Sequence, residues 1–430
     1  MHPKTGFPKR LRGNQGGGNM TQQAHALPQR DVRIIGLVGA AHFSSHFFQL
    51  VLPPLFPFIR DDLGVSYTQL GLAMAVFYAV SGLGQVAAGF LVDRYGPQRI
   101  LPAGIAFFGL ATILAGLAPA YWMLVVVAVV AALGNCVFHP ADFSVMTARV
   151  TPSRLARAYS IHTVSGTLGW AAAPVTLLLL NDLLGWRAAL ILTGAVGIAF
   201  ALFVATQHLY LRVAPHEPQA GSARPAQGAS SKAQLLFAAP VLLCFVYFTL
   251  LSIAQTGMQS FLPSLMPQVQ AITFALATTA TTVYLVASAT GSLVGGFLAD
   301  RTSNHERIVG GGLVGAGVLT LALGYIPLAL ATAFATVAVA GFLTGITIPS
   351  RDMLVRSATP AGSTGKIFGF VYSGLDLGAM LAPVAIGVFL DRGQAHLAFA
   401  FMAAALIGTI TAAFLVKWGT RRAAARSTNI

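Results

Sequence analysis

The stretch "SGLGQVAAGFLVDRYGPQR", residues 81–99, carries an apolar run into a charged turn, and "SATGSLVGGFLADRTSNHER", residues 288–307, does so again. Ser81, Gly84, Gly89, Phe90, Leu91, Asp93 and Arg94 return as Ser288, Gly291, Gly296, Phe297, Leu298, Asp300 and Arg301, all at an offset of 207. Composition alone does not supply seven identities at one offset in so short a window. The copying extends outward. Gln49, Leu52, Pro53 and Pro57 return as Gln259, Leu262, Pro263 and Pro267 at an offset of 210, and Ala173–Val175 as Ala382–Val384 at 209. Small changes in loop length account for the drift. The chain is therefore built of two similar halves.

Of the 430 residues, 56% are hydrophobic and only 9% charged, with a mean hydropathy of +0.73. An average soluble domain has about a quarter of its residues charged. Apolar stretches of span length recur along the chain, and about 20 apolar residues cross a bilayer as a helix. Twelve such stretches lie between residues 34 and 417. The expected fold is an all-α integral membrane protein, twelve transmembrane helices in two pseudo-symmetric six-helix bundles. The bundles are expected at 34–211 and 235–418. A basic, Gly-rich and irregular N-terminal tail at 1–33 (with Met20 as an alternative start) and a C-terminal tail at 419–430 flank them. A Pro/Gly/Ala/Ser-rich linker, 212–234, separates them. The tail has no h-region before a cleavage site, so it does not read as a signal peptide. Cys136 and Cys244 both fall in apolar runs and read as core residues.

Orientation follows from charge. With the N-terminus cytoplasmic, only Arg60, Arg187 and Arg392 of the 26 Lys and Arg residues fall in outer loops. That bias places both termini inside, in a bacterial inner membrane. It also assigns the high isoelectric point, about 10.4, to anionic lipid headgroups rather than to nucleic acid. The expected partners are a small-molecule substrate, protons and membrane lipid, and the chain is read as a monomer.

"GFLVDRYGPQR", residues 89–99, resembles the signature between the second and third helices of the major facilitator superfamily, with a degenerate copy between the eighth and ninth. Two further stretches resemble fosmidomycin-resistance-type exporters: His42 to Pro57, and "GNCVFHPADFSVMTARV", residues 134–150. The resemblance implies the major facilitator fold, a central cavity lined by helices 1, 4, 7 and 10, and export by antiport. His46 stands where those exporters are expected to hold an acidic residue, so their coupling mechanism does not carry over whole.

His42, His46 and Gln49 fall at i, i+4 and i+7, on one helical face. One reading makes them a polar cavity wall that binds substrate or shuttles protons, since histidine titrates near neutral pH. A second makes them interhelical hydrogen-bonding groups. Zinc or copper can also bind histidines at this spacing, but no Cys or Met cluster accompanies them and no metal site is expected. Gln259 repeats Gln49, with Gln255 one turn before it. His139 is expected to join the histidines. Asp142, beside Pro140, is expected at the inner mouth, pairing with Arg149 or Arg351. His162 reads as a half-buried structural histidine. Asp376 is the one acidic residue in mid-span. It stands where the repeat has Thr167, at a cost that marks it for proton coupling or for a structural partner. No Lys or Arg is expected deep in a span. Asp93, Arg94, Arg99, Asp300, Arg301 and Arg307 are expected to form a bistable latch at the cytoplasmic mouth.

No Walker loop, dinucleotide fingerprint or nucleophile triad is present, so an enzyme is not expected. Energy would come from a proton gradient with no cofactor. The function expected is proton-coupled transport of a small organic solute by alternating access, in the export direction. The alternative is proton symport importing an organic acid. A non-transporting membrane sensor is a more distant reading.

Overall fold

The computed structural model describes residues 17–213, 239–302, 304–357 and 364–427. The linker from 214 onward, the first 16 residues and the last three lie outside the described residues. The first half contains α1 (Gly17–Gln49), α2 (Phe56–Leu63), α3 (Tyr67–Tyr95), α4 (Pro97–Gly116), α5 (Tyr121–Asn135), α6 (Phe138–Arg149), α7 (Leu155–Leu184), α8 (Trp186–Thr206) and the single turn α9 (His208–Leu211). The second half contains α10 (Ala239–Val269), α11 (Phe274–Asp300), α12 (His305–Tyr325), α13 (Leu330–Ser357), α14 (Thr364–Asp391) and α15 (Ala395–Ser427). Eleven helical segments are long and apolar enough to cross a membrane, and the bent α3 makes twelve.

The expected irregular N-terminal tail needs correction, and the C-terminal tail is largely helical. α1 begins at Gly17, not near residue 34, and α15 runs to Ser427. Polarity ends a membrane span, but it does not end a helix. Residues 20–27 and 421–427 are rich in Ala, Gln, Met and Arg, which favour helix with or without lipid.

Proline shapes the elements that matter for function. Pro53, Pro54 and Pro57 interrupt the first span, which passes through a 3-10 turn at Pro53–Leu55 into α2. Pro140 breaks the fourth span. It lacks an N–H and its ring clashes with the preceding turn, so α5 stops at Asn135 and α6 restarts at Phe138.

The packing repeats between halves. In the first half α1 packs on α7, α3 on α5, and α4 on α8; in the second α10 packs on α14, α11 on α13, and α12 on α15. The halves meet along two seams, α3 against α14 and α7 against α11. Glycine lets backbones touch at the first seam. A Cβ at Gly387 would lie 2.6 Å from the Tyr67 carbonyl oxygen, and one at Gly71 would collide with the Pro383 carbonyl. Helix alternation puts the start of α1 and the end of α15 at one end of the bundle, here the terminus end; the opposite is the far end.

Candidate functional site

The break at Pro140 turns α6 so that His139 and Asp142 approach α1 and α7. His42 is 3% exposed and Asp142 fully buried. His42 Nδ1 faces Asp142 Oδ2 at 3.3 Å, and His162 Nε2 lies 3.0 Å from the same oxygen. The His42 ring stacks on His162 at 3.5 Å between centroids, approaches His46 at 4.3 Å and His139 at 5.5 Å, and His46 stacks on Trp170 at 4.1 Å. The rings fit because residue 166 is glycine. A Cβ there would lie 2.7 Å from His46 Nδ1 and 2.8 Å from His42 Cδ2.

Three expectations change here. Asp142 is not a mouth residue paired with Arg149 or Arg351. The helix break swings it inward between two imidazoles. His162 is not a half-buried bystander but a buried partner of Asp142. His42 and His46 pack inside the first half instead of walling an open chamber, and only His139 of the three histidines is exposed.

Gln49 is tied into a polar network that crosses four helices. Its Nε2 donates to Asn135 Oδ1 at 2.8 Å, and its Oε1 accepts from Trp170 Nε1 at 3.0 Å. Asn135 Nδ2 in turn donates to Ser81 Oγ at 2.7 Å. Asn135 escaped the sequence reading, although an amide side chain inside "AALGNCVF" was the available signal. Gln255 and Gln259 are half-buried on α10, and their amides have no partner among the described residues.

The second half holds a cation where none was expected. Arg351 is 8% exposed and its Nε donates to Asp352 Oδ1 at 2.9 Å. Its guanidinium lies 4.7 Å from the Phe248 ring centroid and 5.9 Å from that of Tyr372, whose hydroxyl donates to Asp352 Oδ1 at 2.9 Å. Position 351 is 142 displaced by 209, so the two halves carry opposite charges at equivalent places. The reading of spans missed Arg351 because it sits toward the terminus end of α13, where a basic residue is usually taken as a loop charge.

Asp376 lies at the seam. A Cβ on Gly82 of α3 would lie 3.2 Å from its carboxyl oxygen. It is half-buried and has no hydrogen-bond or ion-pair partner among the described residues. One turn back on α14 is Tyr372, so Asp376 and the Arg351 cluster share a neighbourhood.

The far end is joined across the halves. Asp391, at the end of α14, accepts hydrogen bonds from the Tyr67 and Thr68 backbone N–H groups, each at 2.8 Å, and from the Thr68 hydroxyl. Ser66 caps the next amide of the same helix. Phe56 packs on Phe261 at 5.6 Å and Phe58 on Phe274 at 5.8 Å. At the terminus end Asp93, Arg94, Arg99, Asp300, Arg301 and Arg307 are all exposed. Among the described residues, no ion pair joins them.

Comparison with known proteins fits this architecture. The sequence model of the Major Facilitator Superfamily matches residues 38–273 and 265–429. The chain belongs to that superfamily, and it is a multi-pass membrane transporter of small molecules rather than an enzyme. It is 25% identical over 401 residues to a Cupriavidus necator protein named "Probable sulfoacetate transporter SauU", covering 89% of this chain and 93% of that one. It is 23% identical over 391 residues to the "Fosmidomycin resistance protein" of Escherichia coli, covering 88% and 91%. A solved bacterial homologue of the human lysosomal transporter Spinster shares the fold, with a TM-score of 0.70, 17% identity, and coverage of 91% of this chain and 97% of that one.

Proposed function

We propose that this protein moves a small organic acid together with protons by alternating access, across a bacterial inner membrane and with both termini in the cytoplasm. The observation that carries the reading is Asp376, a half-buried carboxyl on a moving seam with no counter-charge. An ionised carboxylate placed among apolar helices is costly unless paired. A protonated one needs no partner, so the seam can close over Asp376 when it holds a proton and expose it again on opening. The gradient then acts on the conformational step directly.

Arg351 supplies the anion side. Guanidinium suits a carboxylate or sulfonate, and its aromatic bed pre-orients it. The substrate would displace part of the Asp352 contact. An anion near Arg351 and a proton on Asp376 favour each other by plain electrostatics, and the coupling is reciprocal. Separate sites that load together produce symport. Antiport needs the two ligands to exclude one another. Relatives named for sulfoacetate and L-galactonate transport support an acidic substrate. In this setting the far end is the outer face, closed by Asp391, while the exposed charged turns at the terminus end form an inner latch in its released state.

The second reading is drug or metabolite export by proton antiport, favoured by the fosmidomycin-resistance relative over nearly the full chain. Proteoliposomes separate the two. With an acid exterior, symport predicts that the solute enters with the protons, and antiport predicts that it leaves against them. Solute movement indifferent to the pH gradient in both orientations would reject proton coupling altogether. Sulfoacetate and hexonates are the first compounds to try.

A further inference from the structure

The three histidines His42, His46 and His139 are left over from this account. Each offers a ring nitrogen, and the three nitrogens lie within 4.8 Å of one another. We propose that they form a binding site for a divalent transition metal ion, with zinc as the reference ion. The chemistry is that of imidazole nitrogen, which binds zinc at about 2.0–2.1 Å and suits a three-histidine set with one position left open. His42 and His46 come from one helical face. His139 is delivered by the break at Pro140, and as the exposed member it marks the route by which an ion enters.

The surroundings are those of a metal site. A metal-bound histidine usually turns its other nitrogen toward a carboxylate that fixes the ring. His42 Nδ1 faces Asp142 Oδ2 at 3.3 Å, and His162 holds that carboxylate from the other side at 3.0 Å. His42 Nδ1, His46 Nδ1 and Asp142 Oδ1 are buried atoms with no completed hydrogen bond. Unpaired buried polar atoms cost stability, and an ion that draws the three rings together would let Asp142 close on His42. Tetrahedral ligands sit roughly 3.3–3.4 Å apart, so the nitrogens must close by at most about 1.5 Å from their 4.8 Å limit to bind an ion.

A second grouping, His42 with Asp142 and His162, also lies within 4.8 Å. There Asp142 Oδ2 already takes the His162 contact, so we assign those two as supports and not ligands. The inference is independent of substrate and of proton coupling, because binding is read in detergent without a gradient.

The test uses full-length protein, with any affinity tag removed, stripped with EDTA and titrated with Co2+ as the spectroscopic probe for zinc. One Co2+ per chain is expected, with the visible absorption of a low-coordinate site, displaced by Zn2+. His139→Ala, an exposed change that leaves the fold intact by thermal melt, should abolish the signal, as should His46→Ala. Asp142→Asn should weaken binding about 10- to 100-fold. Two results overturn the proposal: no saturable Co2+ binding to the parent protein, or binding that survives His139→Ala, with loss in His162→Ala showing where it has gone. The last would move the ion to the alternative grouping, and the first would leave the rings as a hydrogen-bonded cluster.

Discussion

Asp391→Ala tests the far-end closure most directly. The carboxylate caps a helix that belongs to the other half, accepting from the Tyr67 and Thr68 amides at 2.8 Å each. Removing a helix cap costs about 0.5–2 kcal/mol. Asp391 is exposed, so the lower part of that range applies. Donors and acceptor sit in different halves, so the loss falls only on conformers closed at the far end and leaves open ones untouched. One kcal/mol corresponds to about a fivefold change in the ratio of closed to open molecules, and two to about thirtyfold. Spin labels at exposed positions 61 and 329, one in each half at the far end, would read the distance distribution. The substitution should raise the long-distance population by that factor, with Thr68→Ala giving a smaller shift in the same direction. A distribution unchanged within twofold in Asp391→Ala would show that the bond does not discriminate between conformers, and the reasoning would fail.

Four further outcomes follow from the geometry. Asp376→Asn should lose proton-driven accumulation in proteoliposomes while keeping solute counterflow; if accumulation survives, Asp376 is structural. Arg351→Lys should weaken binding of carboxylate and sulfonate solutes on the order of tenfold, since hydrogen bonds to charged groups carry about 1.5–3 kcal/mol, and a binding titration that shows equal affinities would remove Arg351 from the substrate site. Gly387→Val pushes a side chain against the Tyr67 carbonyl, and overpacking of about 1–3 kcal/mol should open the far end as Asp391→Ala does, read by the same labels. Gln49→Leu leaves the Trp170 indole N–H without its acceptor and takes one of two donors from Asn135 Oδ1, and should cost about 1–3 kcal/mol in a detergent melt, with no change in the pH response of transport.

The broad architecture was open to a reader of the sequence. Span length, the offset of 207–210 and the turns at Asp93 and Asp300 specify two similar bundles, because each rests on hydrophobic periodicity or on copied residues. What escaped depends on rotation and register, which a linear pattern does not carry. Asp142 looked like a mouth residue because a continuous helix would carry it there; the break at Pro140 rotates it inward. His42 and His46 share a face, as their spacing requires, but the sequence does not say that α7 covers that face. Asp391 was not singled out, since it stands at the end of a span and its partners are backbone amides 323 and 324 residues away. Arg351 read as a mouth charge because it stands near the end of its helix, and the Phe248 and Tyr372 rings that cover it come from other helices.

The network through Gln49, Ser81, Asn135 and Trp170 has no counterpart among the described residues of the second half. Gln259 is without a partner there, Thr344 bonds back to its own helix through the Ala340 carbonyl, and an alanine, Ala379, occupies the place of the tryptophan. Four spans of the first half are therefore riveted together at mid-depth, while the matching spans are tied elsewhere, by the Ser252 hydroxyl on the Leu375 carbonyl and the Tyr372 hydroxyl on Asp352. The two bundles are twins in outline but are pinned at different places, the first by an amide network and the second by bonds around Asp352 and the Leu375 carbonyl.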